Sequence, residues 1–353
     1  MREIDKSKPV LVTGGSGYMA SWIVKMLLDE GITVHATVRD PLDSKRIDHL
    51  TTLAKASAGV LKLFKSDLLD TGSFDDPMRD CELVIHTASP FFISGIKNPE
   101  EELIRPARQG TRNVLESAKT NPTVKRVVLT SSVVAIYGDN ADLRLTPEGV
   151  FTEKEWNVTS SAKHHPYAYS KTIAEKEAWA MAKEQDQWDL LTINPGWILG
   201  PSLSKRKDSM SISTMIQFGD GTYKAGVPEL WNGIVDVRDV AAAHIKAGYT
   251  PGASGRHIIV SGEASLLDLA NILRKNFGDG YPFPQRQVRK FLFWLIAPMR
   301  GFTRKYASRN AGIPIKFDNS WSKTDLGISY IPIEQTVKEH FQQILDDGLL
   351  SKT

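Results

Sequence analysis

The sequence predicts an α/β protein built on a doubly wound parallel sheet, with a smaller, mainly C-terminal lobe. In the first half of the chain, short apolar and β-branched runs alternate with stretches of helical periodicity. The runs are apolar almost throughout, as expected for parallel strands that are covered on both faces. After Asn194 the pattern changes, because turn residues and aromatic side chains become frequent. This change predicts the start of the smaller lobe.

Six strands are expected before the change in pattern. They begin at Val10, Thr33, Leu61, Leu83, Arg126 and Leu190. The first helix is predicted from Ala20 to Glu30, because its apolar residues recur at helical spacing. A later strand, helix and strand between Ile234 and Ser261 are expected to return to the large sheet. We therefore divide the chain into a large domain, residues 1–196 plus 234–261, and a smaller lobe, residues 197–233 plus 262–353.

Composition excludes several classes of protein. The 353 residues are 41% hydrophobic and 24% charged, which is typical of a soluble globular protein. The net charge of +3, from 44 basic and 41 acidic residues, argues against a nucleic acid partner. The single Cys81 is expected to be a buried, inert thiol. The longest apolar stretch, Phe291–Met299, is too short to span a bilayer, so we expect a cytoplasmic protein without a membrane partner.

A glycine-rich turn, TGGSGYMA, follows the first strand and opens the first helix. Its glycines allow a tight turn whose backbone can approach a pyrophosphate, and the helix N-terminus supplies amide donors. Ala20 stands where a third glycine is usual and is still small enough for close packing. The turn predicts dinucleotide binding, with an ordinary strand-to-helix loop as the alternative. The candidate residues are Gly14, Ser16, Gly17, Tyr18 and Met19.

The ends of the second and third strands carry candidate contacts to the adenosine half of a dinucleotide. Arg39 could pair with a 2′-phosphate, which favours NADP, and the adjacent Asp40 leaves NAD possible. Arg46 could add a second cation or lie on a solvated helix face. After the third strand, Asp67 and Leu68 are placed near the adenine, although Asp67 could equally cap a turn.

Tyr167 and Lys171 lie four residues apart in YAYSK. On a helix this spacing places both side chains on one face. A neighbouring cation favours the phenolate and lowers the tyrosine pKa, so the pair could exchange a proton with a substrate oxygen. The alternative is an exposed tyrosine beside a solvated lysine.

Several segments appear in a characteristic order from about Val10 to Ile245. They include VTGGSGYMAS, KSDLLD, VIHTASPF, RVVLTSS, YAYSKTIAEKEAW, NPGWILGP and IVDVRDVAAAHI. In this order they resemble the extended short-chain dehydrogenase/reductases of the NAD-dependent epimerase/dehydratase superfamily. The most similar branch contains dihydroflavonol reductases, cinnamoyl-CoA reductases and NADPH-dependent aldehyde and ketone reductases. The resemblance implies a Rossmann NAD(P)-binding domain and a substrate-binding lobe.

The resemblance also implies a catalytic set of Ser132, Tyr167 and Lys171, with Ser131 as the near alternative to Ser132. Lys171 is expected to bind the nicotinamide ribose as well, and Tyr167 is also expected to contact the cofactor. Further cofactor contacts are expected at small residues after the fourth strand and in the segment after the sixth. These residues are Thr87, Ala88, Ser89, Pro195, Trp197 and Ile198.

The expected activity is NADPH-dependent reduction of a small-molecule aldehyde or ketone by an oxidoreductase acting on CH–OH and carbonyl groups. Tyr167 would protonate the oxygen that Ser132 positions. The alternatives are an NAD-using nucleotide-sugar epimerase or dehydratase, a hydroxysteroid dehydrogenase and a noncatalytic nucleotide sensor. No metal ion is expected, and the protein is expected to be a monomer or homodimer.

The substrate pocket is expected to have an aromatic wall. The candidates are Phe91, Phe92, Trp197, Tyr223 and Trp231. The basic pair Lys205–Arg206 and the pair His164–His165 are expected to be solvated surface. The stretch FLFWLIAPMRGFTRKY is expected to pack within the smaller lobe, with a membrane-surface or partner helix as the alternative.

Overall fold

The computed structural model describes residues 2–89 and 98–350. Its strands are β1 (Val10–Thr13), β2 (Val34–Val38), β3 (Leu61–Lys65), β4 (Leu83–His86), β5 (Arg126–Thr130), β6 (Asp189–Pro195), β7 (Trp197–Leu199), β8 (Val227–Pro228), β9 (Trp231–Asp236), β10 (Gly255–Ile259), β11 (Gly262–Ser265) and β12 (Gln287–Val288). The six strands predicted before Asn194 are therefore confirmed, each starting within one residue of its predicted position.

The helices connect these strands and cover the sheets. They are α1 (Tyr18–Asp29), α2 (Ser44–Ala56), α3 (Arg105–Thr120), α4 (Pro166–Ala182), α5 (Met210–Gly219), α6 (Val237–Tyr249), α7 (Leu266–Phe277), α8 (Lys290–Ile296), α9 (Arg304–Asn310), α10 (Ser320–Asp325) and α11 (Ile333–Asp346). None of the helices in the described ranges is long and apolar enough to cross a membrane.

Seven strands form one parallel sheet in the order β10-β6-β5-β4-β1-β2-β3. Val10 and Val12 of β1 belong to the core beneath α1 and α6, whereas Leu11 belongs to the core beneath α3 and α4. The sheet is therefore covered on both faces, as the apolar strands predict. Its strand order reverses between β1 and β4, which is where doubly wound folds open a crevice for a ligand.

The prediction that the segment between Ile234 and Ser261 returns to the large sheet is confirmed for its second strand and wrong for its first. β9 pairs with β7 and β11 in a separate three-stranded sheet, and β10 is the strand that joins the large sheet, beside β6. Two glycines permit this arrangement, because a Cβ on Gly196 would lie 2.4 Å from the carbonyl oxygen of Gly233. The proposed boundaries between the two lobes stay a prediction.

The smaller lobe has its own core, formed by α5, α7 and α11 around residues such as Phe218, Leu269 and Phe341. A further cluster joins α8 to α9 through Phe293, Ala297 and Ala307. Cys81 is fully buried under the large sheet, so the prediction of a buried thiol is confirmed, and burial raises its pKa to about 12.

Candidate active site

A cavity of about 1100 Å³ lies at the carboxyl edge of the large sheet, where the strand order reverses. Residues that follow β1 to β6 form its floor, and parts of the smaller lobe close it from above. The predicted site residues that line it are Gly14, Ser16, Gly17, Tyr18, Met19, Arg39, Arg46, Asp67, Leu68, Thr87, Ala88, Ser89, Ser132, Tyr167, Lys171, Pro195, Trp197 and Ile198. Residues far apart in sequence are thus brought to one cleft.

The glycine turn has the shape that a bound pyrophosphate requires. Gly14 has a φ of +65°, and a Cβ there would lie 3.1 Å from the Cβ of Ala88. Gly15 is also necessary, because its Cβ would lie 2.8 Å from that of Ala36 on β2. Gly17 is the N-cap of α1 and has no side chain that could cap the first amides of the helix. The helix N-terminus can therefore donate hydrogen bonds to an anion in the cavity.

The end of the cavity that the sequence analysis assigns to adenosine is rich in arginine. Arg39 is exposed and forms no ion pair with any described residue, whereas Arg46 lies 3.3 Å from the carboxylate of Asp43. Asp67 accepts a hydrogen bond from the amide of Leu69 at 2.9 Å, so it caps a turn while it also lines the cavity.

The expectation that Arg206 is solvated surface is wrong. Its guanidinium donates a hydrogen bond to the carbonyl oxygen of Ser16 at 3.0 Å and pairs with Asp208. The loop of the smaller lobe that carries Arg206 therefore reaches across to the glycine turn. No signal in the sequence reveals this contact, because its partners are 190 residues apart.

Tyr167 and Lys171 lie on α4, one turn apart, as the YAYSK spacing predicts. Lys171 is buried and donates a hydrogen bond from Nζ to the carbonyl oxygen of Thr130 at 3.2 Å, at the end of β5. This contact uses one of the three ammonium donors, which leaves two for other partners. The helix and the strand end are thereby held together at the cavity floor.

The two candidate serines have different surroundings. Ser131 is buried, and its hydroxyl donates to the carboxylate of Glu175. Ser132 is half-buried on the cavity wall, where its hydroxyl has only long contacts of 3.4 Å, to the carbonyl oxygen of Pro195 and from the amide of Val134. Its hydroxyl is the more accessible of the two to a substrate oxygen.

The expected lowering of the Tyr167 pKa is not found in this structure. Burial raises the pKa of the phenol above its ordinary value, because the phenolate would lose its hydration. Burial also lowers the pKa of Lys171 to about 8, although the nearby carboxylate of Glu175 opposes this shift. At neutral pH the tyrosine is therefore a phenol that can give a proton, and the lysine is mostly a cation.

A buried ion pair beneath the site escaped the sequence analysis. Glu175 is fully buried and accepts a hydrogen bond from Nε of Arg256 at 2.6 Å. Its carboxylate also accepts from Ser131, from Thr192 at 3.3 Å and from Asn194 at 2.8 Å. α4 is thus joined to β5, β6 and β10 through one carboxylate. Glu175 lies one helical turn beyond Lys171, which is the signal that could have drawn attention to it.

The predicted aromatic wall is present only in part. Trp197 and Trp231 line the cavity, whereas Phe91 and Phe92 lie outside the described residues. Tyr223 does not belong to the described lining. Its hydroxyl donates to the amide oxygen of Gln217 at 2.8 Å, and its ring packs edge-on against Phe218 in the core of the smaller lobe.

The expectation that His164 and His165 are solvated is also wrong. His164 is buried and lies 2.9 Å from the carboxylate of Asp139. His165 lines the cavity, with a φ of +57° just before α4. Its Nδ1 lies 2.8 Å from the carbonyl oxygen of Gly138, which can only accept, so Nδ1 carries the hydrogen. Burial lowers the His165 pKa, which leaves Nε2 as a hydrogen-bond acceptor at neutral pH.

Two tyrosines accompany His165 on the same wall. Tyr137 and Tyr306 line the cavity, and the ring of Tyr306 packs edge-on against His165 with centroids 5.3 Å apart. Burial raises the pKa of Tyr306 to about 12, so its hydroxyl stays protonated and can donate. This part of the pocket is therefore more polar than the sequence analysis expects.

Comparison with known proteins agrees with the fold and the cleft. The family model described as "NAD dependent epimerase/dehydratase family" matches residues 10–261. Cinnamoyl-CoA reductase CAD2 of Medicago truncatula is 38% identical over 340 residues, covering 95% of both chains. Tetraketide alpha-pyrone reductase 1 of Arabidopsis thaliana is 40% identical over 291 residues, covering 80% of this chain and 85% of the relative.

A solved structure has the same fold. The yeast methylglyoxal/isovaleraldehyde reductase Gre2, complexed with NADPH, superposes with a TM-score of 0.76 at 26% identity, over 97% of this chain and 100% of that one. The fold and cleft define a Rossmann-type protein of the extended short-chain dehydrogenase/reductase class. The chain belongs to the NAD-dependent epimerase/dehydratase family, and the resemblance inferred from its motifs is confirmed.

The buried ion pair gives a prediction about stability. Replacing Glu175 with alanine leaves the charge of Arg256 buried without its partner, so the free energy of unfolding should fall by about 3–5 kcal/mol. Urea denaturation followed by circular dichroism measures this change. Glu184→Ala is the matched control, because Glu184 is exposed just beyond the end of α4. Equal stability of the two variants would contradict the importance of the pair.

Proposed function

We propose that this protein is an NADPH-dependent reductase of an aldehyde or ketone. The observation that carries the proposal is the placement of Ser132, Tyr167 and Lys171 on one cavity wall that the glycine turn also lines. The relatives support it, since two are named reductases at 38% and 40% identity and the yeast structure is a reductase complexed with NADPH.

The cavity residues fit a dinucleotide. Gly14 and the N-terminus of α1 would hold the pyrophosphate, and Lys171 would bind the nicotinamide ribose with its remaining donors. NADPH would supply the hydride that reduces the carbonyl carbon. The small residues after β4 and the segment from Pro195 would line the nicotinamide end.

The side chains of the protein would supply the proton. Ser132 would donate a hydrogen bond to the carbonyl oxygen and so share the negative charge that develops there. Tyr167, which burial keeps protonated, would then give its proton to that oxygen, and the C=O bond becomes CH–OH. The ammonium of Lys171 would stabilise the phenolate that remains until a solvent proton replaces the lost one.

The preference for NADPH over NADH rests on the arginines at the adenosine end. Arg39 directly follows β2 and makes no ion pair among the described residues, so its guanidinium is available to a 2′-phosphate. Arg206 also lies near the turn, but its charge is paired with that of Asp208, so Arg39 is the stronger candidate. NAD(H) remains a possible cofactor because Asp40 is adjacent to Arg39.

The direct test is NADPH oxidation measured against a panel of aliphatic aldehydes, aromatic aldehydes, diketones and flavanones. Turnover of at least one of these carbonyl compounds is expected. NADPH binding without consumption on any of them would instead support the epimerase or sensor alternatives.

The proton donor is tested by Tyr167→Phe. This variant should lose about a hundredfold to ten-thousandfold in kcat while it still binds NADPH, because the main task of the missing hydroxyl is to give a proton to the substrate oxygen. Tyr169→Phe, on the same helix but outside the described cavity lining, is the control and should retain activity. Normal turnover by Tyr167→Phe would show that another group gives the proton.

The ammonium of Lys171 predicts a pH dependence. Since the pKa of Lys171 is lowered to about 8, its cationic form is present below that pH and is lost above it. The rate of carbonyl reduction should therefore fall about tenfold per pH unit above about pH 8, as the ammonium population does. A pH–rate profile at saturating NADPH measures this, and a profile that stays flat well above that pH would refute the assignment.

The 2′-phosphate assignment is tested by Arg39→Ala. This variant loses a charge-assisted hydrogen bond that contributes about 1.5–3 kcal/mol. The KM for NADPH should therefore rise by about ten- to a hundredfold, and the KM for NADH should stay nearly unchanged. The control is Arg79→Ala, since Arg79 is exposed and pairs with Asp76 away from the cavity. Equal effects on both cofactors would exclude this role for Arg39.

A further inference from the structure

The segment between Asp279 and Asp318 has an unusual charge. It contains no aspartate or glutamate, and it carries eight of the 44 basic residues of the chain. The rest of the chain then has 36 basic against 41 acidic residues and is net negative. Positive charge is therefore concentrated in one segment of a nearly balanced protein.

The same segment exposes a cluster of large apolar side chains. α8 and the turn after it expose Phe291, Leu292, Leu295 and Met299, at 73%, 48%, 48% and 86% of their surface. The opposite side of this helix packs within the smaller lobe through Phe293, as the sequence analysis expects. Elsewhere in the described chain, exposed large apolar residues occur singly or in pairs, so four within nine residues mark a distinct surface.

Basic side chains flank this apolar cluster along the chain. The exposed cations are Arg286, Arg289, Lys290, Arg300, Arg304 and Lys305. None of the six forms an ion pair with a residue in the described ranges, whereas Arg309 is engaged by Asp139 and Asp142. We call these six cations and the four apolar side chains the α8 patch.

We propose that the α8 patch binds the surface of an anionic phospholipid bilayer. The four apolar side chains would enter the interface between headgroups and acyl chains, and the cations would meet the lipid phosphates and carboxylates. The charge argues against a second copy of this chain, because a two-fold interface through the patch would place cations against cations. A nucleic acid would neutralise the cations but would leave the apolar side chains in water.

The chain leads from the α8 patch directly into the wall of the cavity. Gly301, Phe302, Thr303 and Tyr306 follow Arg300 and line the cavity. A bilayer bound at the patch would therefore lie beside the substrate end of the cleft. An apolar substrate dissolved in the membrane could then reach the site without crossing bulk water.

Vesicle cosedimentation of the full chain tests the proposal. The vesicles are phosphatidylcholine alone or phosphatidylcholine mixed with phosphatidylserine, without cofactor or carbonyl substrate, so the outcome is independent of the proposed function. Binding is expected only to the anionic vesicles and should decrease as salt is added. Binding to neither kind of vesicle, or equally to both, would overturn the proposal.

Two double variants separate the contributions of charge and apolar contact. The charge variant is Arg289→Glu with Lys290→Glu, and the apolar variant is Phe291→Ser with Met299→Ser. Each should weaken binding to anionic vesicles by at least about tenfold. Both variants should keep normal turnover of a water-soluble aldehyde. The controls lie near the far edge of the large sheet: Lys55→Glu with Lys62→Glu changes the charge equally, and Leu42→Ser with Val60→Ser removes two exposed apolar side chains.

Other outcomes would assign the α8 patch to a different occupant. Sedimentation velocity shows whether the protein is a homodimer. If it is, and if Phe291→Ser with Met299→Ser dissociates it, the patch is a subunit interface and lipid binding is overturned. Lipid binding is also overturned if a DNA duplex binds as tightly as the anionic vesicles and the two apolar substitutions leave DNA binding unchanged. Loss of vesicle binding in the control variants would also contradict the proposal.

Discussion

The ion pair between Glu175 and Arg256 is the interaction on which the geometry of the site depends. Burying two charges costs several kcal/mol each, and this cost is offset only when the pair is close and its other hydrogen bonds are made. Both conditions hold here, since the contact is 2.6 Å and further hydrogen bonds satisfy each group. This contact, together with the hydrogen bonds of Glu175 to Ser131 and Asn194 and of Lys171 to Thr130, fixes α4 against the strand ends.

The pair also connects the floor of the site to the outside of the domain. The guanidinium of Arg256 lies 3.9 Å from the ring centroid of Trp156 and donates to the carbonyl oxygens of Glu153 and Glu155. The insert between β5 and α4 is thereby fixed against β10. The long separation of Ser132 from Tyr167 in sequence is thus spanned by ordered chain that packs on α4.

Much of the fold and many of the residues that line the cleft could be predicted because their signals are local. The apolar runs, the glycine turn and the YAYSK spacing each lie within a few residues, and each reports a backbone geometry directly. The features that were missed depend on tertiary contacts. Three residues reach the site only after folding: Arg206, His165 and Arg256, the partner of Glu175. Tyr223 has a side chain typical of a pocket wall but packs in the core of the smaller lobe.

The position of β9 could not be read from its sequence either, because a buried apolar strand does not reveal which sheet it joins. The electrostatics of Tyr167 required the structure for a related reason. Spacing shows that a lysine is near, but the depth of burial decides whether desolvation or attraction dominates the pKa.

The contact between Arg206 and Ser16 has a consequence for how a cofactor leaves. The loop around Arg206 belongs to the smaller lobe, and its guanidinium is attached to the backbone of the turn that would hold the pyrophosphate. A dinucleotide seated on that turn would lie beneath this loop. Its departure would then require the hydrogen bond to open, so release of the spent cofactor would be tied to movement of the loop.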